Sequence, residues 1–114
     1  MNADILVLDN NRKSIAYIAA LAGFGYRIAE AHSPQEACDL LSVGDLPYAV
    51  IIDLKLADMN EVLPALRREA GSQVPMIVIG GDAQDAYAAG ADVVLPKPVE
   101  LDDLLQIVRS RVIA

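Results

Sequence analysis

The stretch Ala49-Val50-Ile51-Ile52-Asp53 decides the fold, because four apolar residues, three of them β-branched, end in a carboxylate. Such a run is too short for a helix and is typical of a strand buried on both faces. Similar apolar runs occupy residues 5–8, 76–79 and 93–95. Together these runs predict the buried strands of a parallel sheet.

Stretches with helical spacing separate the runs. The clearest is the last, where Leu101, Leu104, Leu105, Val108 and Val112 form one apolar stripe. Ser33-Pro34-Gln35-Glu36 has the cap residue, proline and acid that begin a helix, which we expect to continue through residue 41. Residues 26–31 then form the second strand.

The alternation predicts one α/β domain over residues 1–114, with five strands, five helices and no linker or repeat. Its form is a doubly wound parallel sheet with right-handed crossovers and helices on both faces. In such a sheet ligands bind beyond the carboxyl ends of the strands. Those ends carry Asp9, Asp53, Gly80 and Lys97.

Composition excludes several classes of function. The formal net charge of −7 would repel nucleic-acid backbones and anionic lipid, so direct nucleic-acid binding is not expected. Without a basic leader or an apolar run of about 18 residues, no membrane span is expected and the chain is assigned to the cytoplasm. Cys38 is the one cysteine, and a core thiol is favoured over a redox role.

The strand ends suggest phosphoryl chemistry. Two carboxylates on neighbouring strands repel each other unless a cation lies between them, and Asp9 and Asp53 could share Mg²⁺. Lys97 could bind a carboxylate or a phosphoryl oxygen at the same edge. Each residue taken alone is more often a cap or surface group, so the inference depends on all three occurring together.

Four segments together resemble the receiver domain of two-component response regulators: residues 5–11 (ILVLDNN), 50–56 (VIIDLKL), 90–92 (GAD) and 95–98 (LPKP). The resemblance covers essentially the whole chain. It implies a flavodoxin-like sheet with strand order 2-1-3-4-5. It also implies a phosphoacceptor domain rather than an enzyme.

The resemblance assigns roles to the site residues. Asp53 would be phosphorylated by a sensor histidine kinase or phosphotransfer protein, Asp9 would bind Mg²⁺, and Lys97 would bind the phosphoryl group. The backbone carbonyl of Lys55 would be a metal ligand, and the bond from Lys97 to Pro98 is typically cis in the family. A downstream protein partner or effector domain would receive the signal.

Several positions depart from the family pattern. Asn10 replaces a second acidic residue, which lowers the ligand charge and predicts weaker Mg²⁺ binding. Gly80 replaces a hydroxyl residue that contacts the phosphoryl group, and Val94 replaces an aromatic ring that moves between two positions. The backbone of Gly80 and Gly81 could bind an anion as a nest, although a flexible turn is the simpler interpretation.

Helical segments differ as well. Residues 82–89 leave little more than two turns for the fourth helix, which is shorter than usual in the family. The loop after Asp53 lacks the usual Pro and Gly, and Asp58, Asn60 and Glu61 are interpreted as turn and cap residues. Lys55 could lean over the pocket but is more simply exposed, and His32 is expected at the surface.

Two functions follow from these residues. The favoured one is an atypical receiver that accepts a phosphoryl group on Asp53, supported by Asp9 and Lys97. The alternative is a pseudo-receiver that docks proteins without phosphorylation, supported by Asn10, Gly80 and Val94. Nucleotide or corrinoid binding is disfavoured, because the first strand lacks a glycine-rich loop and no Asp-x-His-x-x-Gly motif occurs.

Overall fold

The computed structural model describes residues 1–9, 15–53 and 56–111, in which strands and helices alternate. The strands are β1 (Ile5–Asp9), β2 (Ile28–Ala31), β3 (Ala49–Asp53), β4 (Met76–Ile79) and β5 (Val93–Leu95). The helices are α1 (Ile15–Gly23), α2 (Pro34–Leu41), α3 (Leu56–Ala70), α4 (Ala83–Ala89) and α5 (Leu101–Arg111). The predicted alternation of five strands with five helices is confirmed. Asn10, Lys55 and Val112 lie outside the described residues.

The strands form one parallel sheet in the order β2-β1-β3-β4-β5, as the resemblance implied. The central strands β1 and β3 are buried along their whole length. Their register pairs Leu8 with Ile52 and Asp9 with Asp53. The sheet therefore sets the two carboxylates side by side at its carboxyl edge.

Alternate residues of each strand serve the two faces of the sheet. On one face Leu6 and Leu8 pack with the helices α2, α3 and α4 in one buried cluster. On the other face Ile5 and Val7 pack with α1 and α5 in a second cluster. This period of two explains why the central strands are apolar throughout, since both of their faces are covered.

Helix ends follow the predicted capping chemistry, with one variation. The Ser33 hydroxyl accepts a hydrogen bond from the Glu36 amide at 3.1 Å. The Glu36 carboxylate accepts from the amide of His32 at 3.2 Å rather than from that of Ser33. Helix α4 begins after the cap Asp82 and ends at left-handed Gly90, so its 7 residues confirm the short fourth helix.

Two predicted boundaries are wrong. Helix α3 begins at Leu56, so Asp58, Asn60 and Glu61 are helical residues rather than parts of a loop, and Asn60 and Glu61 are exposed. The buried residues Met59, Val62, Leu63 and Leu66 recur at helical spacing, and their burial against the sheet outweighs the polar residues between them. Strand β2 begins at 28 rather than 26, because the amide of Tyr26 bonds the Leu21 carbonyl in the turn after α1.

A side-chain bridge fastens α3 to the far end of the sheet. The Arg67 guanidinium donates to the Val74 carbonyl at 2.6 Å and to the Asp92 carboxylate at 2.8 Å. The same carboxylate oxygen accepts from the Met76 amide at 2.7 Å. Burial raises the pKa of Asp92, but the Met76 and Arg67 hydrogen bonds, with the charges of Arg67 and Arg111, outweigh it and hold that pKa below its ordinary value.

None of the helices over residues 15–53 and 56–111 is long and apolar enough to cross a membrane.

Candidate functional site

The site is built around the carboxylate of Asp53. This residue ends β3 and is 3% exposed, and its register partner Asp9 ends β1 and is 2% exposed. Burial of a carboxylate is costly unless a cation or hydrogen-bond donors face it. Positive charge at this edge of the sheet would stabilise the two buried carboxylates, which lie side by side.

Lys97 supplies such a charge. It follows β5 by two residues, and its Nζ lies 2.7 Å from Oδ1 of Asp53. The lysine side chain is 49% exposed, so the ammonium reaches a buried carboxylate from the solvent side. The peptide bond from Lys97 to Pro98 is cis, as the resemblance implied.

Gly80 lies beneath the lysine stem. It is buried, its φ is +84°, and a Cβ added there would lie 3.0 Å from both Cδ and Cε of Lys97. Its amide donates to the Leu95 carbonyl at 2.7 Å, which fixes the backbone beside β5. The stem of Lys97 thus fills the space that a side chain at position 80 would need.

The neighbouring Gly81 also has a positive φ, of +74°, but it is exposed. Asp82 follows it and uses its carboxylate to cap α4 by accepting from the Asp85 amide at 3.1 Å. This acid is therefore engaged with its own helix. This capping contact explains why an acidic residue, Asp82, follows Gly80 and Gly81.

Two contacts of the site were not predicted from the sequence. The hydroxyl of Tyr17, a residue only 4% exposed in α1, lies 3.5 Å from Oδ2 of Asp53, at the outer limit of a hydrogen bond. A ring nitrogen of His32 lies 3.2 Å from the backbone carbonyl oxygen of Asp9. His32 is exposed, as expected, yet it touches the backbone of the site.

An open cleft of about 570 Å³ extends from Asp53 toward the start of α5. It is lined by Tyr17, Asp53, Ile79, Lys97, Pro98, Val99 and Leu101. Lys97 and the Tyr17 hydroxyl lie close to Asp53, and the other lining side chains are apolar. The carboxylate is therefore reachable through an opening that an apolar group could also occupy.

The donor set suits a hard divalent cation. Oδ1 of Asp53 is buried and makes no aligned hydrogen bond with the described residues, although the ammonium of Lys97 is close. Carboxylate oxygens are the ligands that Mg²⁺ prefers. Within the described ranges no three His, Cys, Asp or Glu side chains group as a metal site, so the two carboxylates would need ligands from the predicted positions Asn10 and Lys55.

Val94, which the resemblance assigned to a substituted switch position, is half-buried on β5. Its amide donates to the hydroxyl of Tyr87 at 3.2 Å, and the Tyr87 side chain is 49% exposed on α4. An aromatic residue therefore does contact this position, but it comes from the neighbouring helix.

Cys38 is partly buried against the core, and burial raises the pKa of its thiol, as expected for a packing residue.

Several solved structures of receiver domains have the same fold as this chain. The receiver domain of the sensor histidine kinase PA1611 from Pseudomonas aeruginosa PAO1, with a magnesium ion coordinated in its active site cleft, is 24% identical with a TM-score of 0.81, and the alignment covers 98% of each chain. A CheY-like receiver domain protein from Methanospirillum hungatei JF-1 is 22% identical with a TM-score of 0.80, over 95% of this chain and 91% of that one. The receiver domain of the Francisella response regulator 1452 is 22% identical with a TM-score of 0.80, over 97% of each chain.

No protein of curated function gives a significant match. The family model of the response regulator receiver domain matches residues 5–109, which span every strand of the sheet and nearly all of α5. Domains of this family are phosphoacceptor signalling modules of two-component systems rather than enzymes. The chain belongs to the response regulator receiver domain family.

Proposed function

We propose that this receiver domain, over residues 1–114, accepts a phosphoryl group on Asp53 in a two-component phosphorelay and signals through protein contacts. The observation that carries the proposal is the 2.7 Å approach of Lys97 Nζ to a carboxylate that is 4% exposed. A lysine with a purely solvated role has no reason to lie against a buried acid, because the arrangement restricts its side chain. A buried acid beside a cation at the lining of an open cleft is the arrangement expected of a functional site.

The transfer step uses groups at the opening of the cleft. An oxygen of Asp53 attacks the phosphorus of a phosphohistidine on a sensor histidine kinase or phosphotransfer protein. The nitrogen–phosphorus bond breaks as the oxygen–phosphorus bond forms, and the histidine ring keeps the electron pair of the broken bond. Lys97 then neutralises a phosphoryl oxygen, and we also assign the backbone amide of Gly81 to the phosphoryl group.

A divalent cation fits the acidic side of the site. Asp9 and Asp53 would hold Mg²⁺ with the side chain of Asn10 and the backbone carbonyl of Lys55. When bound, the ion offsets the charge that the phosphoryl group adds beside two carboxylates. Because Asn10 is neutral, we expect the affinity for Mg²⁺ to be lower than with an acid at that position.

The alternative function is a pseudo-receiver that docks partners without phosphorylation. Its support is Gly80, which offers no hydroxyl to a phosphoryl group, together with Val94, which has no ring. In either case the downstream partner is a protein effector in the cytoplasm, and the phosphoacceptor function adds a kinase or phosphotransfer protein upstream. The net charge of −7 argues against nucleic acid as the direct target.

A titration with Mg²⁺ and beryllofluoride, a mimic of the aspartyl phosphate, separates the two functions. We expect amide NMR shifts centred on Asp53 and Lys97 in the wild type. The variant Asp53→Asn keeps the shape of the side chain but removes the attacking charge, so it should give no saturable response.

A second variant tests the role of the lysine. Lys97→Met keeps most of the stem over Gly80 and removes the charge, so it should weaken the beryllofluoride response while the fold is retained. The Mg²⁺ response without beryllofluoride serves as the control for the metal site. Wild-type spectra that do not change at saturating Mg²⁺ and beryllofluoride would instead support the pseudo-receiver.

A further inference from the structure

The hydroxyl of Tyr17 is a polar group beside Asp53 that the transfer step above does not use. Tyr17 belongs to α1 and is 4% exposed in the cluster that α1 and α5 form against the sheet. Its hydroxyl lies 3.5 Å from Oδ2 of Asp53, whereas Nζ of Lys97 lies 2.7 Å from Oδ1. The two oxygens of this carboxylate therefore face different donors, one from α1 and one from the segment after β5.

Packing of the Tyr17 ring does not require its hydroxyl. The ring is buried with apolar side chains of the sheet and of α5, among them Val7 and Leu104, and a phenyl ring would fill the same space. Burial of a hydroxyl costs free energy unless a polar group meets it. Because the packed ring has little freedom, the hydroxyl is held toward the Asp53 carboxylate before any ligand arrives.

The cleft beside Asp53 offers few donors to a phosphoryl group. Lys97 and Tyr17 line it together with Asp53, and the rest of its lining is apolar: Ile79, Pro98, Val99 and Leu101. Gly80 follows β4 at the same edge of the sheet and has no side chain to contribute. Among the described residues that line the cleft, Lys97 and Tyr17 are thus the two with side-chain donors.

We propose that the hydroxyl of Tyr17 donates a hydrogen bond to the phosphoryl group on Asp53, which makes Tyr17 a phosphoryl-binding residue of this domain. The inference rests on the proposed phosphoacceptor function. A phosphoryl group carries negative charge on three acceptor oxygens, so a hydrogen bond to it is stronger than the 3.5 Å contact with the free carboxylate. The hydroxyl therefore favours the phosphorylated state, and phosphorylation ties α1 to Asp53.

NMR of tyrosine labelled at the ring carbon Cζ reports on the phenol directly. With saturating Mg²⁺, beryllofluoride should shift the Tyr17 resonance, which is assigned by elimination from single Phe variants of the other tyrosines. The resonance of Tyr26, which packs against the same cluster, should stay in place. Neither resonance should shift in Asp53→Asn. This readout needs no substitution at position 17, so it holds even if a variant there is unstable.

Titration of beryllofluoride at saturating Mg²⁺ measures the strength of the contact. Tyr17→Phe removes only the hydroxyl and should weaken beryllofluoride binding about tenfold, the effect of losing one hydrogen bond to a charged group. Tyr26→Phe is the matched control, because it removes a phenol oxygen from the same cluster, and it should bind as the wild type does. Mg²⁺ alone should bind equally to all three proteins, whereas a structural defect at the site would weaken the metal as well.

The outcomes separate this inference from the function on which it rests. If the wild type and Tyr17→Phe bind beryllofluoride equally, the role of Tyr17 is overturned and the phosphoacceptor function stands. A Tyr17 resonance that stays in place while beryllofluoride binds to the wild type has the same meaning. A wild type that does not respond to beryllofluoride at all would overturn both.

Discussion

Replacing Gly80 with alanine should separate Lys97 from Asp53. The added Cβ would lie 3.0 Å from Cδ and Cε of the lysine, closer than side-chain carbons normally approach. The lysine stem is flexible and half-exposed, so it is the group that gives way. Its displacement leaves the Asp53 carboxylate buried without its cation.

The expected loss of stability has two parts. A residue other than glycine at φ +84° costs roughly 1–2 kcal/mol in backbone strain. Removing the cation from a buried carboxylate adds about 1–2 kcal/mol. This loss is smaller than for a fully buried pair, because Lys97 is 49% exposed and solvent screens its charge. The free energy of unfolding should therefore fall by about 2–4 kcal/mol in Gly80→Ala.

Urea denaturation measures this loss, and Gly71→Ala is the matched control. Gly71 has a φ of +82°, nearly that of Gly80, and nothing lies within 4 Å of an added Cβ. It should therefore show the backbone strain alone. In a Lys97→Ala background the stem is gone, so Gly80→Ala should cost no more than Gly71→Ala. Equal losses for the two glycine variants in the wild-type background would refute the reasoning.

Three further predictions follow from single residues. Asn10→Asp should tighten Mg²⁺ binding in a metal titration, because it restores an anionic ligand. The pKa of Asp92 is lowered in the folded state, so its contribution to stability is present above the ordinary pKa of about 3.9 and is lost as the pH falls through the folded value. Asp92→Asn should therefore flatten the fall in unfolding free energy below about pH 4, measured by denaturation at several pH values. Tyr87→Phe should speed hydrogen exchange of the Val94 amide, which loses its hydroxyl acceptor.

The sheet was predictable because its signal is local. Each central strand is a continuous run of β-branched and apolar residues, and alternating elements leave few possible topologies. The positions of Asp9, Asp53 and Lys97 follow from the same strands, since the carboxyl ends of parallel strands meet at one edge. The start of α3 was not predictable in this way, because it depends on burial of Met59 and Val62 against the sheet.

The contacts missed at the site join residues distant in sequence. Tyr17 and Asp53 are 36 positions apart, and their contact depends on the angle at which α1 crosses the sheet. The sequence marked Gly80 as a missing hydroxyl, but it could not show that the stem of Lys97 fills the space. That contact depends on the φ of Gly80 and on the path of the chain after β5, and neither is encoded locally.

The path of Lys97 bears on how a signal would leave the site. A ligand shifts a conformational equilibrium only through contacts that differ between states. Gly80 has no side chain to follow a phosphoryl group, whereas Lys97 touches Asp53 directly and its stem lies over Gly80. A phosphoryl group on Asp53 would therefore displace Lys97 first. Lys97 and Leu101 line the same cleft, so the displacement would reach the start of α5 rather than Val94. Beryllofluoride-dependent shifts in Leu101 that vanish in Lys97→Met would agree with this route, and shifts in Val94 that survive Lys97→Met would contradict it.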